Sequence, residues 1–304
     1  MTDHQQPFAG FSSMTLPVNH IGIHARVCRH ARADAPAVLL LHGFPQTHFT
    51  WHRVVSALCL DYSVVCADLR GYGDSEKPAS AAPHETYSKR SMAFDMVELM
   101  RVLGFERFHL VGHDRGGRVA HRLSLDHPKA VDRMCLIDIS PTLTMYESTN
   151  MDFARAYFHW FFLIQAAPLP ETLMAANASA VLKMFLGRAG PNLSTIMTDE
   201  AVREYERCWC NLKAIHASCE DYRASAGIDL EHDRASDAAG QKINSPLLVV
   251  WGAEGVVGRL FEPIANWQAK SNASVTGAAL AAGHYIPEEV PQALLERLLP
   301  FLKT

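Results

Sequence analysis

Short apolar runs alternate along this chain with helical patterns, and that alternation leaves few folds open to it. The runs are Ala37–Leu41, Ser63–Ala67, 108–111, 134–139 and 246–251, each apolar or β-branched and bounded by Gly, Pro or polar residues. Between them, apolar side chains recur at helical spacing over 51–58, 90–103 and 118–127. Strands separated by helices predict a mostly parallel sheet covered by helices on both faces. The rhythm stops after Pro141. From about 152 to 235 the pattern is helices and loops without a buried strand, crowded with Phe153, Tyr157, Phe158, Trp160, Phe161 and Phe162. Strand character returns at Pro246. We therefore expect a core built from residues 1–141 and 239–304 and a helical cap built from 142–238. A length of 304 residues suits one core with one inserted subdomain.

Composition removes several function classes. The formal charge is −4, which argues against nucleic acid, since phosphates call for a basic surface. No apolar stretch is long enough to cross a bilayer, so no membrane role is expected. The N-terminal segment shows no basic region followed by an apolar run, and the expectation is a cytoplasmic protein. Seven cysteines in no disulfide or zinc spacing read as reduced thiols; Cys208 and Cys210 form a C-x-C pair with no second pair nearby. No metal is expected.

The chemistry is concentrated at three points. Residues 112–117 read GHDRGG, directly after one strand and at the head of a helix. Strand, sharp turn and helix are the setting of a nucleophile elbow, G-x-S-x-G, here with Asp114 in the central place. Asp is also a favoured helix cap, which is its plainer reading. The second point is His42-Gly43-Phe44-Pro45, after Ala37–Leu41. Such a loop supplies one N–H of an oxyanion hole and the residue after the nucleophile supplies the other, which assigns Phe44 and Arg115. The third is Gly283-His284-Tyr285, where the general base falls in this chain order. The acid that orients it is expected to be Asp138, at the end of a strand, with Glu254 as second choice. Arg115 and Arg118 stand three apart at a helix start where unpaired charge is costly, so an anion is expected between them. Two solvated surface charges are the alternative. His159, Trp160 and Tyr222 read on spacing alone as cap core.

With these residues in view, the chain resembles the haloacetate dehalogenases of the α/β-hydrolase fold, in particular the fluoroacetate dehalogenases. The likeness rests on GHDRGGR (112–118), Leu136 with 138–142, ARAYFHWFF (154–162) and SCEDYRA (218–224), and spans core and cap. The elbow by itself is shared with epoxide hydrolases and haloalkane dehalogenases. Arg115 with Arg118, His159 with Trp160, and Tyr222 are more specific. The resemblance implies that Arg115 and Arg118 bind a substrate carboxylate, and that His159, Trp160 and Tyr222 donate hydrogen bonds to the departing halide. A strongly hydrated ion such as fluoride needs donors to leave water, and imidazole, indole and phenol supply them. It implies a homodimer, a small haloacid as ligand, and no metal or organic cofactor. One departure stands near Phe185: some members carry a tryptophan where this chain has Arg188, which bears on the entrance and on substrate scope.

The expected mechanism has two steps. Asp114 displaces halide from the α-carbon and forms an ester; His284, oriented by Asp138, then activates water to hydrolyse it. An epoxide hydrolase would use the same three residues and need cap acids, for which Tyr222 and Tyr157 are available. A non-catalytic binding protein of this fold is the remaining rival.

Overall fold

The computed structural model describes residues 7–187 and 193–303. Eight strands form one sheet in the order β1-β2-β4-β3-β5-β6-β7-β8. They are β1 (Ser12–Val18), β2 (Ile21–Cys28), β3 (Ala37–Leu41), β4 (Ser63–Ala67), β5 (Phe108–His113), β6 (Val131–Ile137), β7 (Leu247–Gly252) and β8 (Val275–Leu280). From β4 to β8 every pairing is parallel; β1 and β2 form a hairpin that joins β4 antiparallel. Strands β3, β4 and β5 are buried along their whole length. They have no solvent face, which is why they read as continuous apolar runs. This is the α/β-hydrolase fold, as expected.

The boundaries differ in ways that matter. Strands β1, β2 and β8 were not legible, because β1 and β8 are largely exposed and β8 contains Gly277 in a short VTGAAL run. The helix expected at 118–127 is Arg115–Asp126, so it starts immediately after Asp114. Residues 51–58 are no continuous helix: a 3₁₀ turn, His48–Trp51, precedes a short helix, Val55–Leu58.

Between β6 and β7 the described residues are helical, from Thr142–Glu147 through Ile228–Ala238. Their starts follow local chemistry. Asn150, Thr198 and Asn211 each accept the N–H of the third residue on, capping Met151–Ala156, Asp199–Trp209 and Leu212–Ala226. The long helix Leu212–Ala226 is buried over most of its length, polar residues included. It lies over the carboxyl ends of the strands, and its buried charges must find partners there. No helix among the described residues is long and apolar enough to cross a membrane.

Candidate active site

Asp114 sits at φ 47°, in the left-handed region that a side chain other than glycine rarely takes. Its neighbours make room for the turn. A Cβ on Gly116 would lie 2.3 Å from the Leu41 carbonyl oxygen, and one on Gly43 would lie 2.6 Å from the Asp114 Cβ. Asp114 occupies the cap position of Arg115–Asp126, yet its side chain caps nothing. Instead Oδ1 accepts the Phe44 N–H at 2.9 Å, and Oδ2 stands 3.8 Å from His284 Nε2. The Arg115 N–H makes no bond to this carboxylate among the described residues. Burial opposes the charge on Asp114, but His284, His113, Arg115 and Arg118 outweigh it and hold the carboxyl down at about 2.

His284 is held from both ends. Nδ1 lies 2.6 Å from Asp138 Oδ2, and Asp138 Oδ1 accepts the Gly252 N–H at 3.0 Å. Asp138 also has a positive φ, 50°, at the end of β6, which turns its side chain toward the loop after β8. Glu254, the second choice of acid, is exposed and makes no pair with His284 among the described residues. It lines a cavity of about 90 Å³ with Asp138, Tyr157, Arg259 and His284. His113 Nε2 reaches the His284 carbonyl at 2.8 Å; burial pushes its pKa down to about 3, so the ring is neutral and donates.

Arg115 and Arg118 are both buried, so the reading as solvated surface charges does not apply. They are not equivalent. Arg115 does not wait for an outside anion. Asp221, on Leu212–Ala226, takes its Nε at 2.9 Å and its Nη2 at 2.7 Å, and Ser225 Oγ takes Nη2 at 2.6 Å. The helices between β6 and β7 supply one anion for it in Asp221. One nitrogen, Nη1, is left without a partner among the described residues. Asp221 also accepts from Lys89 Nζ and, at 2.6 Å, from the Tyr72 hydroxyl. Lys89 in turn lies 3.5 Å from Asp229.

Among the described residues Arg118 has only neutral partners. Nη1 donates to Thr142 Oγ1 at 2.9 Å and Ser140 O at 3.3 Å, Nη2 approaches Met145 Sδ at 3.2 Å, and Nε is unpartnered. Burial and the charge of Arg115 both press on its proton. The two guanidiniums face aromatic rings, Arg115 at 4.2 Å from the Tyr222 centroid and Arg118 at 4.7 Å from that of Trp160.

His159, Trp160 and Tyr222 converge although Tyr222 comes from a different helix. Ring centroids are 5.7 Å apart for His159 and Tyr222 and 6.4 Å for Trp160 and Tyr222. His159 stacks on Phe44 at 6.2 Å, so the group hangs over the loop that reaches Asp114. Trp160 Nε1 is buried without a hydrogen-bond partner among the described residues. Arg188 lies outside those residues. Two larger clefts, of about 740 and 600 Å³, share no residue with this set.

Asp221, Lys89 and His113 were not identified from the sequence. A signal existed for Asp221: two arginines at a buried helix start require anions, and Asp221 stands beside Tyr222 in a segment already singled out.

Residues 36–291 match the family model described as alpha/beta hydrolase fold. A fluoroacetate dehalogenase of Burkholderia sp. is 43% identical over 295 residues, 97% of this chain and 95% of that protein. A soluble epoxide hydrolase of Corynebacterium sp. (strain C12) is 32% identical over 87% of this chain and 89% of its own length. Among solved structures, ALR0039 from Nostoc sp. PCC 7120, a provisionally assigned α/β hydrolase, matches with a TM-score of 0.93 at 46% identity, covering 97% of this chain and 99% of its own.

Proposed function

This chain belongs to the haloacetate dehalogenase family of the α/β-hydrolase fold, and from that membership we propose that it hydrolyses the carbon–halogen bond of fluoroacetate and chloroacetate, releasing halide and glycolate through an ester on Asp114. The observation that carries the substrate class is Arg118, a buried guanidinium beside Asp114 whose partners among the described residues are all neutral. A small carboxylate placed against its Nε and the remaining Nη1 of Arg115 would satisfy both.

In the first step Asp114 Oδ2 attacks the α-carbon, the carbon–halogen electron pair leaves with the halide, and the carboxylate becomes an ester. Ionisation of Asp114 supports this, since the carboxylate is the nucleophile. The halide departs toward Trp160, His159 and Tyr222. In the second step His284 Nε2 takes a proton from water and the hydroxide adds to the Asp114 carboxyl carbon. The charge that develops on Oδ1 falls where the Phe44 N–H already points, and the Arg115 N–H is the second donor of this reading. Glycolate leaves with the proton that His284 held. Asp138 keeps the His284 ring oriented throughout. The chain also acts as a homodimer in this reading, by family likeness.

Halide release tests the proposal. Fluoroacetate and chloroacetate are incubated separately with the protein and the two ions are followed with selective electrodes, with Asp114→Asn as control, assayed early because deamidation restores Asp. Release of both ions, lost in the variant, is expected. In one turnover in ¹⁸O water the label enters Asp114; label in the first glycolate formed would refute the ester. No halide from folded protein would send the substrate search to epoxides, the substrate class named for the Corynebacterium relative.

A further inference from the structure

The short helix after the base carries two adjacent carboxyls, Glu288 and Glu289, that neither step above uses. Glu289 turns back along its own loop. Its Oε2 accepts the Gly283 N–H at 2.7 Å and its Oε1 accepts the Tyr285 N–H at 2.6 Å. These are the N–H groups of the residues on either side of His284. Glu288 turns the other way and is fully buried. Its Oε1 accepts from Gln46 Nε2 at 2.7 Å and from the Tyr205 hydroxyl, and its main-chain oxygen accepts from Arg53 Nη1 at 2.5 Å. Gln46 is two residues past Phe44 in the loop that holds Asp114 Oδ1, and its N–H bonds to Gly43 O at 2.9 Å. Tyr205 belongs to Asp199–Trp209 in the insertion.

We propose that Glu288 and Glu289 act as a yoke that sets the base against the ester: Glu289 shapes the loop around His284, and Glu288 ties that loop to the Phe44 loop and to the insertion. They are positioning residues for the second step, and the assignment rests on the reaction proposed above. The need for such a device follows from the sheet order. Phe44 follows β3 and His284 follows β8, with β5, β6 and β7 between them. No ladder joins β3 directly to β8, so the sheet fixes the distance between the two loops only through three intervening strands, and side chains can fix it further. The Gln46–Glu288 bond joins residues 242 apart in sequence. Hydrolysis depends on that distance, because a misplacement of about 1 Å in a reacting group costs on the order of a hundredfold in rate.

The two carboxyls suit different jobs. Glu289 is partly exposed and takes two N–H bonds, one on each oxygen. Glu288 keeps Oε2 without a partner among the described residues. Burial pushes its pKa up, with Glu289 adding to the rise, while Tyr205, Arg53 and Gln46 pull it back, and it reaches about 8. The helix Leu193–Ile196, also packed against it, brings no titratable group. Burial thus favours the neutral form of Glu288, for which glutamine is the close substitute.

The test separates the two steps in Glu289→Gln, Glu288→Ala and Glu288→Gln. Halide release in the first turnover reads ester formation; glycolate formation and the mass of the intact protein read ester hydrolysis. In Glu289→Gln and Glu288→Ala we expect hydrolysis slowed about tenfold to a hundredfold, ester accumulating, and the halide burst within about twofold of the parent. Glu288→Gln restores hydrolysis below pH 8. Equal slowing of both steps, or unchanged hydrolysis in folded Glu289→Gln, overturns the yoke. A second readout needs no substrate: the proton resonance of the His284–Asp138 pair, which moves or broadens in Glu289→Gln if the loop is released. Were the parent to release no halide, the reaction would fall, and an unchanged resonance would then overturn the yoke on its own.

Discussion

Replacing Asp221 with Asn tests how the arginine beside Asp114 is held. Asp221 is fully buried and meets Arg115 at two nitrogens, together with Lys89 and Tyr72. Burial alone would push its pKa up; Arg115 and Lys89 outweigh that and hold it below the usual carboxylate range. A carboxyl depressed in this way contributes stability that is fully present above about pH 4, its unfolded value, and is lost as pH falls below that. At pH 7 the whole effect is therefore readable. Removing one partner of a buried pair costs about 3–5 kcal/mol, because the remaining charge stays behind without compensation. Unfolding entropy of about 2.1 cal/mol/K per residue amounts to about 0.64 kcal/mol/K over 304 residues. The Tm of Asp221→Asn should then fall by about 5–8 °C, measured by calorimetry. Lys89 is the other cation affected by the change, with Asp229 at 3.5 Å its one remaining carboxylate among the described residues. Adding Lys89→Met should recover about 1–3 kcal/mol relative to the sum of the single changes. The KM for haloacetate should rise more than kcat falls, since the Arg115 Nη1 loses its aim while Asp114 and His284 are untouched. A Tm change under about 2 °C, or strict additivity with Lys89→Met, would show that Asp221 does not carry the charge of Arg115.

Two further outcomes follow from the site. Trp160→Phe removes a buried indole N–H that has no partner among the described residues; fluoroacetate turnover should fall about tenfold, the worth of one hydrogen bond to an ion, and chloroacetate turnover should fall less, in parallel kcat measurements with the two acids. In pH-dependent burst kinetics, the first step should show no acid limb above about pH 3, since Asp114 stays ionised down to about 2; a limb near pH 4 to 5 would place an ordinary carboxyl in the nucleophile's role.

Much of the layout of the candidate site was legible from local sequence. The elbow occupies consecutive residues, 112–117, and a strand, a crowded turn and a helix leave Asp114 little freedom in where it stands. The placement of Asp138 at the end of a strand was enough to prefer it over the loop residue Glu254, and the structure puts Asp138 2.6 Å from His284. The buried strands β3, β4 and β5 could be read because a strand with no solvent face must be apolar throughout. Strands β1 and β8 could not, because exposed edge strands carry mixed residues that hold no clear period. The partners of the charged groups were out of reach for a different reason. Asp221 lies 106 residues from Arg115 and Glu288 lies 242 from Gln46. Local patterns record steric and solvent preferences over a turn or a strand. Which anion faces which cation is decided only when the helices between β6 and β7 settle over the sheet, and there burial turns each such pairing from a minor surface contact into a strong constraint.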